Sequence, residues 1–492
     1  MVKDLFLAVD IGTTNVKGAV FDKGSIFPLE SISRRISLYT EEGKGVAEQD
    51  PDEILKAVIE VISFLARKYG GTSISTIFLT SQMHAFGILE DGRPKTRLLT
   101  YFDTRSGEYL SRLEPIGYEL YTRTGCPPLH VYPLLKILYA KDRGLIKHSD
   151  KLLISAKDYI ILKMTGLHVL DLSTASGSQL VNTHNLRWDE LALEVAGVEE
   201  NQLPELIEGS KKPLPIDQDF ASKVDIPSSV EVFAGVSDAS ANQVGVGSIS
   251  NDTVAINLGT SAAVRFLTDH PVFDDSKMRF FLYYAGNKRY LAGGAVNNGG
   301  IVVDWFLKRL GQLESEYASY TGQSLYEVIN TLATSSPPGA NGVIALPFLL
   351  GGERFPIRRP EAKAVFYGLQ FHNTKSDILR SLLEGVVFTL KMIYDALSQK
   401  GLKAKSVRVG GGGSSIPVWR QIIADVFQLP VFKMDIADSS LLGALIHYLE
   451  SQNIHIELPH PSEVNEPSKA NLEIYRARFE EFAKLVEHFY PS

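Results

Sequence analysis

The stretch LAVDIGTTNVKGAVFD, residues 7–22, combines residue types suited to phosphate chemistry. An apolar run ends in Asp10, then come Gly12, Thr13 and Thr14, and a second apolar run follows. Glycine permits a tight bend and close approach of the backbone to another group. Hydroxyls and backbone N–H groups beside it can cradle phosphate oxygens. A carboxylate facing phosphates needs a cation between them, and Mg²⁺ is held by one or two carboxylates together with phosphates and water. The same run also reads as a plain β-hairpin with polar turn residues.

The pattern occurs twice. Residues 8–20, AVDIGTTNVKGAV, align with residues 255–267, AINLGTSAAVRFL, at an offset of 247. Gly12 matches Gly259, Thr13 matches Thr260, Thr14 matches Ser261, and Asp10 is replaced by Asn257. Two copies, each near the start of one half of the chain, predict a duplicated domain. Two such bends facing each other would clamp one polyphosphate, the first on the metal side and the second by hydrogen bonds alone.

Other residues could supply the rest of a transfer site. Asp238, in VEVFAGVSDASANQVGVG, follows a strand and opens a helix of small residues. There it could take a proton from a hydroxyl or simply cap the helix. Gln82, Met83 and His84 lie beyond a buried strand and suit a polyol, or form an internal hydrogen-bonded group. Asp103 and Arg105, two apart before a helix, could grip sugar hydroxyls or cap that helix. GGGGSS, 410–415, follows a strand and precedes a helix. Four glycines in a row are costly in conformational entropy, which favours close approach of something flat. The run is not the G-x-x-x-x-G-K-[ST] phosphate loop. Asn297, Asn298, Gly299 and Gly300 stand before another helix, where backbone donors suit an anion.

The elements that must position these residues alternate between strands and helices in both halves. The patterns predict a strand over 74–80 and helices over 51–69, 105–114, 133–144, 300–311 and 376–400, with a long amphipathic helix at the C-terminal end. Residues 201–232 read as an irregular edge. This alternation predicts α/β domains, 1–247 and 248–492, with a cleft between them.

Bulk properties narrow the function. With 492 residues, 44% hydrophobic and 22% charged, the chain is too long for one compact core. A net charge of −7 argues against a nucleic-acid binder. The single cysteine, Cys126, rules out an intrachain disulfide framework. The N-terminus has no signal-peptide pattern and no apolar run is long enough to span a bilayer, so a cytoplasmic protein is expected.

Seven segments in order, DIGTT, SQMHA, FDTRSGE, GVSDASANQVGVG, NLGTSAAV, GGAVNNGG and VGGGGSSIPVWRQIIAD, resemble the FGGY family of carbohydrate kinases. The resemblance implies two ribonuclease H-like domains of the actin-like ATPase type. It implies ATP and Mg²⁺ as cofactors, and Asp10 as the residue orienting the metal. Thr13, Thr14, Lys17, Gly259 and Thr260 would attend the phosphates, with Gly300, Gly411 and Gly412 lining the nucleotide site. Asp238 would be the catalytic base. Gln82, Met83, His84, Asp103 and Arg105 would meet the sugar. Phe102 and Ile416 depart from positions common in relatives.

Two segments, YTRTGCPPLHVYPLLKI and GGAVNNGGIVVDWF, resemble gluconate kinases, ahead of xylulose kinases and other pentulose or polyol kinases. A carboxylate-bearing substrate needs a cationic or backbone-donor clamp, and Arg123, His130 and Lys136 are the candidates read from the first segment. A small-molecule sugar or sugar acid is the expected partner, and family members are often homodimers. The rival class is an actin- or chaperone-like ATPase without a sugar substrate.

Overall fold

The computed structural model describes residues 4–350, 352–434, 436, 438–454, 457–458 and 460–491. β1 (Leu5–Ile11) is buried along its whole length, as a central strand must be. It runs antiparallel to β2 (Asn15–Asp22), which pairs in turn with β3 (Pro28–Arg35). Helix α1 (Pro51–Tyr69) is capped by Asp50, has Pro51 in its first turn and ends at Gly70 with φ +83°. Val58, Val61, Ile62 and Leu65 point inward from it with no exposed surface, each contributing about 1.5–3 kcal/mol. Gly18 lets this helix lie on β2, because a Cβ there would stand 2.3 Å from Val61 Cγ1. β4 (Ile74–Ser81) and β5 (Glu231–Ser237) extend the sheet in parallel on the other side of β1, and helix α2 (Asp238–Gly245) leaves the end of β5.

The second half repeats this plan. β6 (Thr253–Leu258) pairs antiparallel with β7 (Ala262–Thr268), which pairs with β9 (Arg289–Val296); β8 (Phe281–Gly286) forms the edge. After α3 (Ile301–Arg309) and the long α4 (Lys375–Gln399), β10 (Ser406–Gly410) joins β6 in parallel. Helix α5 (Pro417–Phe427) leads to β11 (Val431–Lys433), parallel to β10, and α6 (Ser439–Ser451) follows. The order β3-β2-β1-β4-β5 in one sheet therefore matches β9-β7-β6-β10-β11 in the other. α2 and α6 are corresponding helices of the two copies.

These two helices form the floor between the domains. A Cβ on Gly245 would meet Ser439 O at 1.8 Å, and one on Gly443 would meet Ala241 O at 1.7 Å. The backbones thus touch where side chains are missing. Tyr448 of α6 packs among Phe78, Phe6 and Phe233 of the first sheet, with ring centroids 5.3, 5.5 and 4.9 Å away. Between β4 and β5 the chain builds a separate apolar core that includes Phe86, Leu134, Leu152, Trp188 and Leu203. The 201–232 edge consists of short pieces, Glu205–Ile207, Leu214–Pro215 and the helix Gln218–Lys223. The other helices fall near their predicted spans, at Arg105–Leu113 in two short turns, Pro133–Asp142 and Leu472–Phe489. Among the described residues no helix is long and apolar enough to cross a membrane.

Candidate active site

The two glycine–hydroxyl bends face one crevice. A cavity of about 230 Å³ is lined by Asp10, Gly12 and Thr13 from the β1–β2 bend and by Asn257, Ser261 and Ala262 from the β6–β7 bend. A second cavity, of about 410 Å³, is lined by Lys17, Gly411, Gly412, Asn242, Asp438 and Ser440. Asn257, the counterpart of Asp10, borders both. Gly411 has φ +82°, and a Cβ on it would stand 2.6 Å from Leu258 O; one on Gly412 would stand 2.7 Å from the Tyr326 hydroxyl. The glycine run is thus fitted against the end of β6 and leaves its backbone facing the second cavity.

The second bend rests on the start of α3. Gly300 N–H donates to Gly259 O at 2.6 Å, and Ile301 N–H donates to Thr260 O at 3.1 Å. Thr14 and Thr260 are exposed at the bends. The Asn297–Asn298 segment does hold an anion, but a resident one. Glu353 accepts from Asn297 N at 2.5 Å and from Asn298 Nδ2 at 3.0 Å.

Local sequence leaves Asp238 as either cap or base, and the structure separates the two roles. The α2 cap is Ser237, whose hydroxyl accepts from Ser240 N at 3.3 Å. Asp238 is the first helical residue, and its side chain lines the crevice. Burial raises its pKa to about 6, opposed by the nearby Arg265 charge.

Asp10 is buried, and burial raises it to about 7, with the Asp438 and Asp238 charges adding to the effect. Ser440 Oγ lies 2.5 Å from Asp10 Oδ2 and 2.8 Å from Asp438 Oδ1. One hydroxyl proton serves only one of these oxygens at a time. Asp10 Oδ1 is buried with no hydrogen-bond partner among the described residues. An orphaned carboxylate oxygen beside a second carboxylate fits a divalent cation. Lys17 crosses between the domains to Asp438 Oδ2 at 2.6 Å.

Gln82 belongs to a closed ring of hydrogen bonds. Thr13 Oγ1 donates to Gln82 Oε1 at 2.7 Å, Gln82 Nε2 to Gln49 Oε1 at 2.5 Å, and Gln49 Nε2 to Thr13 O at 2.8 Å. Gln82 thus fixes the first bend. Met83 and His84 line the crevice and are held against Gly177, where a Cβ would stand 2.3 Å from Met83 Cε. His84 Nδ1 is 2.6 Å from Gly177 O, so Nδ1 carries the proton and Nε2 is left as an acceptor. Burial pushes this imidazole down to about 3, keeping it neutral.

Asp103 and Arg105 require correction. Asp103 is fully buried, accepts from Ala47 N at 3.0 Å and pairs with Arg105 Nη2 at 2.7 Å; Arg105 also reaches Glu48 at 2.5 Å. Both residues are engaged with each other, and neither borders the crevice. The three cations offered for a carboxylate also do not meet there. Arg123 pairs with Asp189 at 2.9 Å. Lys136 is buried and donates to the carbonyls of His84, Thr100 and Leu99, with burial lowering it to about 7. His130 lines a neighbouring cavity, with Tyr101 and Leu129, and not the crevice itself.

Sequence reasoning missed Asp438 and Ser440, Arg265 on β7, and Glu353–Arg354. The first pair had a signal: Asp-x-Ser opens α2 at 238–240 and α6 at 438–440, at corresponding places in the duplicated plan.

A duplicated α/β fold, paired bends across a crevice and a carboxylate free of the helix cap at its edge fit an enzyme that handles phosphate. Residues 5–245 match the N-terminal domain of the FGGY family of carbohydrate kinases, and residues 254–448 match its C-terminal domain. The chain belongs to the FGGY family of carbohydrate kinases, with ATP as the phosphate donor that the family implies. It is similar to the gluconokinase of Bacillus subtilis (strain 168), 33% identical over 446 residues, covering 89% of this chain and 86% of that one. Among solved structures, the gluconate kinase of Lactobacillus acidophilus superposes with a TM-score of 0.90 at 29% identity, covering 99% of both chains. A ligand-bound xylulose kinase from the same organism gives the same TM-score and identity, covering 98% of both.

Proposed function

We propose that this chain transfers the γ-phosphate of ATP to the terminal hydroxyl of gluconate, with Mg²⁺, in the cytoplasm. The observation that carries the phosphotransfer reading is the position of Asp238, released from capping by Ser237 and facing the crevice. The similarity to gluconokinase supports gluconate as the acceptor. Xylulose is the second reading, supported by the equal superposition of a xylulose kinase. We place the boundary between the two domains at 247/248.

In this reading Asp238 accepts the proton of the attacking hydroxyl as the new P–O bond forms, and general-base help of this kind is worth about 10²–10⁴ in rate. Asp10 Oδ1, with Asp438 close by, would hold Mg²⁺ through water. The cation, when bound, neutralises charge on the transferring phosphoryl group. Lys17 and the backbones of Gly411 and Gly412 attend the nucleotide, while Thr13, Thr14 and Thr260 attend its phosphates. Met83 and neutral His84 contact the sugar, with His84 Nε2 accepting from a hydroxyl. Positioning and exclusion of water dominate the remaining work.

The test is ADP release over gluconate, xylulose, ribulose, fuculose, rhamnulose, glycerol and erythritol. Gluconate is expected to give the highest kcat/KM. A pentulose in first place overturns the acceptor, and ATP turnover indifferent to every compound overturns the kinase in favour of a sugar-independent ATPase.

A further inference from the structure

We propose that Arg265, together with Arg354, forms the subsite that grips the carboxylate of a sugar-acid substrate. The inference rests on the reading above only in taking the acceptor to be an acid. Both guanidinium groups line the same crevice as Asp238, His84 and Met83. The Nε of each is buried and has no hydrogen-bond partner among the described residues. Neither group forms an ion pair there, and Arg354 Nη2 reaches only Val296 O, at 3.5 Å. Every other cation offered for this task is already engaged or lies outside the crevice.

The surroundings are shaped to hold these two side chains. The stem of Arg265 passes over Gly293 of β9, where a Cβ would stand 3.1 Å from Arg265 Cγ. At the next residue, Gly294, a Cβ would stand 2.9 Å from Cβ of Phe355, the residue after Arg354. The pair of glycines in LAGGAV therefore makes room for one arginine and for the loop that carries the other. That loop is tied down by Glu353, which holds the Asn297 and Asn298 amides.

A guanidinium nitrogen withdrawn from water without an acceptor is unfavourable, and each of these two half-buried side chains carries one at Nε. A carboxylate accepts two parallel N–H bonds from such a group, which a neutral hydroxymethyl cannot do. Two arginines lining one crevice, each with an unpartnered Nε, thus select an anionic end group. The terminal hydroxyl of the same molecule is then directed toward Asp238.

Arg265 also lies near enough to Asp238 to oppose the rise in its pKa, so the experiment must separate binding from tuning of the base. Gluconate and sorbitol, which carries a hydroxymethyl in place of the carboxylate, are compared by calorimetric binding and steady-state kinetics in the wild type, Arg265→Gln, Arg265→Lys and Arg354→Gln. Arg265→Gln is expected to raise Kd and KM for gluconate by about 10- to 150-fold. Its sorbitol binding and ATP KM should stay near the wild-type values, and Arg265→Lys should recover part of the loss. Arg354→Gln should also erode the preference for gluconate, and it provides the reading if Arg265→Gln fails to fold.

Gluconate KM unmoved in both Gln variants overturns the subsite while leaving gluconate as substrate. So does an equal loss of kcat on both compounds with KM unchanged and the acid limb of the pH profile moved upward, which makes Arg265 a positioning residue for Asp238 alone. Wild-type protein that binds gluconate no better than sorbitol also overturns it. Arginine-dependent gluconate binding with turnover only on another acceptor keeps the subsite and discards gluconate as substrate.

Discussion

Asp238 pays for its position in stability. Its folded-state pKa, about 6, lies above the ordinary carboxylate value, so the folded protein holds this proton more tightly than the unfolded chain does. The carboxylate therefore destabilises the fold when ionised, and that penalty fades as pH falls through 6. The catalytic consequence has the opposite sense, because only the ionised form accepts a proton. We expect kcat/KM to fall on the acid side with an apparent pKa of about 6 to 7, a titration that belongs jointly to Asp238 and to Asp10, which the Asp238 charge helps to raise. Asp238→Asn should lower kcat by about 10²–10⁴ with substrate binding retained. The same variant should melt above the wild type at pH 8, with the gap narrowing at pH 5. A variant with near-normal turnover, or a melting gap that is constant with pH, contradicts this account.

At the scale of elements, the crossing of α2 and α6 sets the geometry of the site. Asp238 begins one helix, and Asp438 and Ser440 begin the other. Gly443→Ala would drive a Cβ to 1.7 Å from Ala241 O, a backbone atom that cannot step aside. Overpacking of this kind costs about 1–3 kcal/mol, and the displaced helices should lower kcat as well. Gly107→Ala is the control, since its nearest neighbour is His130 Cβ at 3.8 Å. Equal melting temperatures for the two variants would show that the crossing tolerates a methyl group.

What the sequence showed follows the same division. The bends at Gly12 and Gly259 were legible because each is a local pattern of strand, glycine, hydroxyl and strand, written twice. For Asp103 and Arg105 the sequence left a sugar grip or a helix cap open, and the choice turned on partners, Ala47 and Glu48, that lie more than fifty residues away and are brought together only by folding. Lys17 was legible as a basic residue beside the bend, but its pairing with Asp438 spans a sequence separation of 421. Arg265 looked like one more strand residue until the glycines beside it showed where its stem runs.

Across the whole molecule, the two copies share one interior. The apolar cluster of the second domain takes in Phe6, Phe78 and Phe233 from the first sheet. Asp10 and Lys17 on one side meet Ser440 and Asp438 on the other. The two cavities share Asn257 as a wall and are otherwise lined by different residues. A catalyst with two doors need not queue its visitors. Either reactant can arrive first, so initial-rate plots should intersect rather than run parallel, and ADP should compete with ATP but not with the acceptor. Parallel lines would mean that a phosphorylated protein stands between two half-reactions, a detour that separate places for the two reactants make unnecessary.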